Sequence, residues 1–166
     1  MLENSQANRV FDESVCGDLK DSSKRFAIIV STYNSDISSG LLNGCLKALD
    51  ECNISESQYK VVETDGAFEL PLLAKICAES FDAVICLGAV IKGDTAHFDY
   101  VAGECARGLQ EVSLGCQKPI IFGVLTTLTL EQAIVRSSDD SHNKGYESAL
   151  TALKMCSLCD KLKKIE

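Results

Sequence analysis

Several features are scarce or missing in this chain of 166 residues, and each absence argues against a class of protein. No run of apolar residues approaches the roughly 20 that a membrane-spanning helix requires, so the sequence predicts no such helix. Aspartate and glutamate (24) outnumber lysine and arginine (16), which gives a net charge of −8. This charge argues against a nucleic-acid partner, because a phosphate backbone selects a basic face. With only two histidines and no clustered carboxylates, we expect no metal site.

The glycine motifs of common nucleotide-binding and hydrolase folds are also missing. G-x-G-x-x-G follows none of the apolar runs described below, and G-x-S-x-G does not occur. Gly88 and Gly93 have the glycine spacing of a P-loop, but Asp94 stands where that loop requires lysine. These observations argue against a nucleoside triphosphatase, a dinucleotide-binding enzyme and a serine hydrolase.

Nine cysteines suggest a disulfide framework, but other features argue against one. The count is odd, the chain is not short, and its first twenty residues carry acids instead of a cationic start and an apolar stretch. We therefore expect a cytoplasmic protein with reduced, buried thiols, including Cys45, Cys86 and Cys105 on core faces. Cys156 and Cys159 form a single C-x-x-C pair late in an expected helix, which is weak support for zinc or redox chemistry.

From residue 24 onward, short apolar runs alternate with segments of helical spacing. A continuous apolar run predicts a strand buried on both faces at residues 26–30, and further strands are predicted at residues 59–63, 81–87 and 119–125. Helical spacing predicts helices around 41–49, from Leu70 with Pro71 in the first turn, over 98–112, at about 129–136 and at 145–163. This alternation predicts an α/β fold, a three-layer α/β/α sandwich of the flavodoxin-like type with a four-stranded parallel sheet.

The sequence predicts one domain, residues 24–166, because no linker, repeat or low-complexity stretch interrupts it. Residues 1–23 are mainly polar. We expect them to form a loose N-terminal arm that pairs with another element, such as a neighbouring subunit.

Ligands of open parallel sheets bind outside the carboxyl ends of the strands, so the loops there are the first candidates for a site. We expect these loops to begin at Ser31, Asp65, Gly88 and Thr126. The loop over residues 88–97 is the richest in chemistry.

The glycines of that third loop let the backbone approach a ligand closely. Thr95 and the neighbouring amides precede a helix, whose N-terminus suits a phosphate. Asp94 is favourable as a cap of that helix, and we expect its carboxylate to point away from a bound anion.

His97 and Arg136 are the strongest candidates for chemistry. An imidazole transfers protons readily near neutral pH, and a guanidinium matches the geometry of phosphate oxygens. Each residue also has a structural interpretation. A lone histidine is commonly a packing or surface residue, and an arginine at a helix C-terminus stabilises the dipole of its own helix.

Taken in order, a series of short segments resembles the 6,7-dimethyl-8-ribityllumazine synthase family of riboflavin biosynthesis. These segments are 33–34, 66–71, 81–88, 90–101, 122–127, 131–133 with Arg136, and 143–145. The resemblance covers about residues 25–162. It implies a cofactor-free transferase that condenses 5-amino-6-(D-ribitylamino)uracil with 3,4-dihydroxy-2-butanone 4-phosphate and releases phosphate and water.

The resemblance also implies roles for individual residues. His97 matches the general acid or base, and Arg136 matches the arginine that pairs with the phosphate. The positions that match substrate-binding positions are Tyr33, Asn34, Gly66, Ala67, Phe68, Glu69, Val90, Ile91, Gly93, Asp94, Thr95, Phe122, Arg136 and Lys144. Tyr33 would stack on the pyrimidine ring, while residues 93–95 would bind phosphate.

By the same resemblance, Phe122, Arg136 and Lys144 match positions that a neighbouring subunit supplies. We therefore expect a homo-oligomer with sites at its subunit interfaces, either a pentamer or a sixty-subunit shell. The sequence departs from the family pattern at Tyr33 and Asp65, and in residues 137–142. There, serines and acids replace a link rich in glycine and lysine.

Two alternatives stay open from the residues themselves. One is a flavin- or lumazine-binding homologue with weak or lost catalysis, and the other is a shell-forming scaffold. The presence of His97 together with Arg136 favours an enzyme, because a binding protein needs neither. A scaffold would leave the segment 66–69 unexplained.

Overall fold

The computed structural model describes residue 19, residues 23–140 and residues 142–165. The N-terminal arm expected for residues 1–23 therefore lies outside the described residues, except for Leu19 and Ser23. Leu19 is buried against the core formed by the first strand. Pairing of the arm with another subunit stays a prediction.

Four parallel strands form the sheet, in the order β2-β1-β3-β4. They are β1 (Phe26–Ser31), β2 (Tyr59–Thr64), β3 (Ala83–Ile91) and β4 (Ile120–Thr127). The helices are α1 (Ser35–Glu51), α2 (Leu70–Ser80), α3 (His97–Cys116), α4 (Leu130–Ser137) and α5 (Lys144–Lys163). Single 3-10 turns precede β2 at Glu56–Gln58 and α2 at Ala67–Glu69. The predicted flavodoxin-like α/β fold with a four-stranded parallel sheet is confirmed.

The sheet separates two apolar cores. Helices α1, α4 and α5 cover one face, where Ile28 and Ile85 lie, and helices α2 and α3 cover the other, where Ile29 and Cys86 lie. All six residues of β1 are buried, because this strand has a neighbouring strand on each side and a helical layer on each face. The strand ends are thus held in a fixed frame.

The strands β3 and β4 extend further than the apolar runs indicated. β3 begins at Ala83, not at residue 81, and continues through residues 88–91, which were expected to be loop. Residues 88–91 pair with residues 124–127 of β4, beyond the point where β1 ends its pairing with β3. The loop after β3 therefore begins at Lys92, and the loop after β4 begins at Leu128.

Most described cysteines behave as small apolar residues. Seven are free thiols, and Cys45, Cys86 and Cys105 lie in the cores as expected. Burial raises the pKa of Cys45 and of Cys105 to about 12, which keeps both thiols protonated at neutral pH. Cys52 is the exception, because it is disulfide-bonded. The expectation of uniformly reduced thiols is therefore wrong at Cys52, since an odd count does not exclude a pair.

The described residues lack both a cluster suited to a metal ion and a helix suited to a membrane. No group of three or more histidine, cysteine, aspartate or glutamate side chains in the described ranges could hold a metal ion. No helix within those ranges is long and apolar enough to cross a membrane.

Candidate active site

The carboxyl ends of β1, β2 and β3 surround a cavity of about 610 Å³. Parallel strands end at the same edge of a sheet, so loops far apart in sequence meet there. The residues that line the cavity are Tyr33, Asn34, Gly66, Ala67, Phe68, Glu69, Ala89, Val90, Ile91, Gly93, Thr95, His97, Phe98, Tyr100 and Val101. Most of the site residues taken from the sequence thus lie together in one chain.

Asn34 holds the turn between β1 and α1. Its backbone is left-handed (φ 58°), a conformation that asparagine adopts more readily than most residues. Its Nδ2 donates a hydrogen bond of 3.0 Å to the carbonyl oxygen of Ala89 in β3. Tyr33, one residue earlier, is left 73% exposed at the cavity. In this chain, Asn34 anchors the turn that presents Tyr33.

The loop after β2 forms the opposite side of the cavity. The Tyr33 N–H donates to the carbonyl oxygen of Asp65 at 2.9 Å, which ties this loop to the β1 turn. Phe68 and Glu69 are exposed and line the cavity. A Cβ at Gly66 would lie 2.9 Å from the Glu69 carboxylate, so a larger residue there would crowd that group.

Gly88 and Gly93 differ in what the fold requires of them. A Cβ on Gly88 would overlap the hydroxyl oxygen of Ser31, which is buried and has no hydrogen-bond partner in the described part of the chain. A Cβ on Gly93 would meet nothing within 4 Å, and its backbone is not left-handed. Packing therefore explains Gly88 but not Gly93, which borders the cavity.

His97 is the first residue of α3, and its exposed side chain borders the cavity. The hydroxyl oxygen of Thr95 accepts the His97 backbone N–H at 3.4 Å, next to the helix start. The expected capping role of Asp94 is wrong, because the N-cap residue is Ala96, two positions later. Asp94 is exposed and lies outside the cavity lining that contains its neighbours Gly93 and Thr95.

Phe122, Arg136 and Lys144 lie outside this cavity. Phe122 is 41% exposed on β4, the strand at the edge of the sheet. Arg136 is in the last turn of α4, where Nη1 donates to the carbonyl oxygen of Gln132 at 2.8 Å. Lys144 begins α5, and its Nζ is paired with Glu147 Oε1 at 2.7 Å. Within one chain, these three side chains therefore do not line the cavity.

Helix electrostatics explains one of these two cations and not the other. Arg136 at the C-terminal end of α4 interacts favourably with the helix dipole and with the carbonyls that end the helix. Lys144 stands at the N-terminus of α5, where a positive charge opposes the dipole. Its pairing with Glu147 offsets part of that cost. Local structure therefore accounts for Arg136 and only in part for Lys144.

The cavity also contains residues to which the sequence assigned no role at the site: Ala89, Phe98, Tyr100 and Val101. Positions three and four residues after His97 share its face of a helix, which places Tyr100 and Val101 beside it. This helical spacing was a usable signal. For Phe98 and Val101 the sequence predicted only a place in the helix over 98–112, and both are half-buried.

Comparisons with known proteins agree with the resemblance in the sequence. The family model described as 6,7-dimethyl-8-ribityllumazine synthase matches residues 23–160. A protein of that name from Desulfotalea psychrophila (strain LSv54 / DSM 12343) is 50% identical over 148 residues, which is 88% of this chain and 96% of the relative. Another of that name, from Desulfatibacillum aliphaticivorans, is 46% identical over 149 residues, covering 89% of this chain and 96% of the relative.

Proposed function

The chain belongs to the 6,7-dimethyl-8-ribityllumazine synthase family. We propose that the residues lining the cavity bind the pyrimidine substrate and transfer protons, while Phe122, Arg136 and Lys144 complete the site from a neighbouring subunit. Its function is that of a lumazine synthase, a transferase of riboflavin biosynthesis. The match does not favour a catalytically weak binding homologue or a shell-forming scaffold.

The cavity at the strand ends is the binding site for 5-amino-6-(D-ribitylamino)uracil. Tyr33 offers an exposed aromatic face for the pyrimidine ring, and such stacking contributes about 0.5–1.5 kcal/mol beyond burial. The backbone of residues 66–68 and the carboxylate of Glu69 bind the ribityl hydroxyls. Val90 and Ile91 form an apolar wall. All of these residues line the same cavity, which supports the assignment.

The phosphate of 3,4-dihydroxy-2-butanone 4-phosphate binds before the N-terminus of α3. Backbone amides of residues 93–95 and the Thr95 hydroxyl donate to it, because a helix N-terminus favours an anion. Open space beside Gly93, which packing does not require, supports this position. Asp94 contributes its backbone only, since its carboxylate would repel the phosphate.

His97 transfers protons during the condensation. The amine of the pyrimidine attacks the ketone and forms an imine with loss of one water, phosphate is eliminated, and the ring closes with loss of a second water. These steps need a proton donor and acceptor beside two substrates held together. The observation that carries this assignment is that the exposed His97 lines the same cavity as Tyr33 and Glu69.

A neighbouring subunit completes the site with Phe122, Arg136 and Lys144. The cavity supports this proposal by its charge, since its lining includes Glu69 but no lysine or arginine among the described residues. A dianionic substrate needs cations, and Arg136 and Lys144 lie outside the cavity of their own chain. The assembly is therefore a homo-oligomer, a pentamer or a sixty-subunit shell. The cytoplasmic location, the single domain over residues 24–166 and the arm over residues 1–23 stay predictions.

The function is tested by incubating the purified protein with both substrates and recording lumazine absorbance. We expect lumazine and inorganic phosphate to appear together, and neither to appear when one substrate is omitted. Protein that binds the pyrimidine but forms no lumazine would favour the binding homologue instead. Light scattering on the same sample separates a monomer, a pentamer and a shell.

A further inference from the structure

The side-chain amide of Asn143 holds the end of the helix that carries Arg136. Asn143 is only 3% exposed. Its Nδ2 lies 3.0 Å from each of three carbonyl oxygens, those of Gly40, Ser137 and Ser138. Gly40 belongs to α1, and the two serines directly follow Arg136. One buried amide group thus fixes the end of α4 against α1.

The other atom of the same amide holds the start of α5. Asn143 Oδ1 accepts the backbone N–H of Gly145 at 2.8 Å and that of Tyr146 at 3.1 Å. Lys144 lies between Asn143 and these two residues. The amide therefore fixes the backbone on both sides of the connection between Arg136 and Lys144.

Glycines on the surrounding backbone make room for this arrangement. A Cβ on Gly44 would overlap the Asn143 side chain, and a Cβ on Gly145 would overlap the backbone of Leu41. Both positions are buried. The close approach of α1 and α5 at this point thus depends on small residues at positions 44 and 145.

The residues that connect the two helices bond mainly to one another: Asp140 Oδ1 accepts the His142 N–H at 2.7 Å, a contact that does not reach α1. Asp139 and Asp140 are exposed, and Asp139 forms an ion pair of 3.0 Å with exposed Lys47. Exposed pairs of this kind contribute little to stability. The Asn143 amide is therefore the main polar contact that sets the position of the Arg136 end relative to Lys144 among the described residues.

We propose that Asn143 is a positioning residue that orients Arg136, together with Lys144, toward the phosphate of the substrate. The inference rests on the proposed function, which assigns those two cations to the phosphate. A helix cap alone needs only an acceptor, and asparagine, aspartate and serine cap helices about equally well. The donor contacts to three carbonyls go beyond a cap, and they act on the segment that follows Arg136.

Two substitutions separate positioning from capping. Asn143→Asp keeps an acceptor for α5 and has no donor for α4. Asn143→Ser also keeps an acceptor, but its single, shorter hydroxyl cannot replace the Nδ2 contacts to three carbonyls. We expect the KM for 3,4-dihydroxy-2-butanone 4-phosphate to rise about tenfold in both, which is the effect of losing one hydrogen bond to a buried group. The KM for the pyrimidine should stay within about twofold, since no contact to its cavity changes. Equal effects of the two variants exclude the added charge of aspartate as the cause.

Matched controls are Asn43→Asp and Asn43→Ser, because Asn43 is exposed on α1 next to Gly44. Their KM values should equal those of the unaltered protein. A capping role alone would leave both Asn143 variants with unchanged KM values, or with a lower kcat at unchanged KM, and either result overturns the proposal. In an Arg136→Ala background, Asn143→Ser should raise the phosphate KM by less than it does alone, because only its effect through Lys144 remains. Full additivity of the two effects would also overturn the proposal.

Titrating inorganic phosphate into the protein measures phosphate affinity directly, without relying on turnover. We expect the Kd of phosphate to rise about tenfold in Asn143→Ser, in parallel with the KM. Failure of the unaltered protein to form lumazine would refute the proposed function, whereas an active protein with unchanged phosphate affinity in the variant refutes only the role of Asn143. Absence of phosphate binding by an unaltered protein that forms lumazine would overturn the role of Asn143 and leave the function standing. Should the Asn143 variants not fold, Gly44→Ala displaces the same amide and should raise the same KM.

Discussion

The two groups of site residues differ in how the fold holds them. The cavity group, from Tyr33 to His97, is brought together by three parallel strand ends within one chain. The outer group, Phe122, Arg136 and Lys144, lies on the edge strand and at helix ends, and its two cations are engaged by Gln132 and Glu147. Sheet topology thus assembles the part of the site to which we assign, as a proposal, a neutral ring and a polyol. The charges that a phosphate needs must come from elsewhere.

The largest expected effect tests the cavity group. His97→Ala should lower kcat by about 10²- to 10⁴-fold, the usual contribution of a positioned acid or base. Binding of the pyrimidine should be nearly unchanged, because the other cavity residues remain. His142→Ala is the matched control, since His142 is the other histidine and lies outside the cavity. Unchanged turnover in His97→Ala would remove the acid/base assignment.

The second prediction asks whether the two groups belong to different subunits. Subunits carrying His97→Ala and subunits carrying Arg136→Ala are each expected to form weak sites alone. After random mixing in equal amounts, about a quarter of the sites in a cyclic assembly combine an intact His97 with an intact Arg136 from a neighbour. Activity should then approach a quarter of the unaltered value. Demonstrated mixed assembly without recovery would place both residues in the same subunit's site.

Arg136→Ala should weaken the phosphate substrate more than the pyrimidine. Hydrogen bonds to charged groups contribute about 1.5–3 kcal/mol, so the KM for the phosphate substrate should rise roughly 10- to 150-fold. The control is Arg107→Ala, because Arg107 is exposed on α3 and paired with Glu104 and Glu111 on its own helix. Equal weakening of both substrates by Arg136→Ala would contradict a phosphate-specific role.

Gly88 and Gly93 give a smaller effect that separates packing from binding. Gly93→Ala should leave the free energy of unfolding within about 0.5 kcal/mol and raise the KM for the phosphate substrate about tenfold, because the new methyl group enters open space beside the expected phosphate. Gly88→Ala should lower stability by about 1–3 kcal/mol through overlap with Ser31, with little change in KM. Urea unfolding and initial rates measure both. The reverse pattern would move the phosphate away from Gly93.

The fold was predictable where burial alone decides it. β1, which is buried at every position, was located to within one residue, because a short apolar run next to a polar turn leaves little choice. The extension of β3 over residues 88–91 was not, since those residues pair only with β4 and are partly exposed at Val90 and Ile91. The apolarity of a segment does not indicate how far the strand beside it extends, so the pairing of residues 88–91 with β4 could not be predicted.

The candidate site was predictable as a set of positions more than as a set of contacts. The rule for strand ends and the family resemblance together indicated the residues that line the cavity. The contact between Asn34 and Ala89, and the five backbone contacts of the Asn143 amide, join segments distant in sequence that no local pattern relates. Asp94 was expected to cap α3 because acids favour that role, but the helix begins three residues later, at His97.

The smallest effect concerns Tyr33, which the cavity group presents at its edge. Tyr33→Leu should raise the KM for the pyrimidine roughly 2- to 12-fold, because stacking contributes about 0.5–1.5 kcal/mol beyond apolar burial. Tyr33→Phe keeps the ring and should stay within about twofold of the unaltered protein. The KM for the phosphate substrate should not change in either variant, since Tyr33 lies on the β1 turn and not on the loop before α3. A loss in Tyr33→Phe as large as in Tyr33→Leu would mean that the hydroxyl, and not the ring, recognises the substrate.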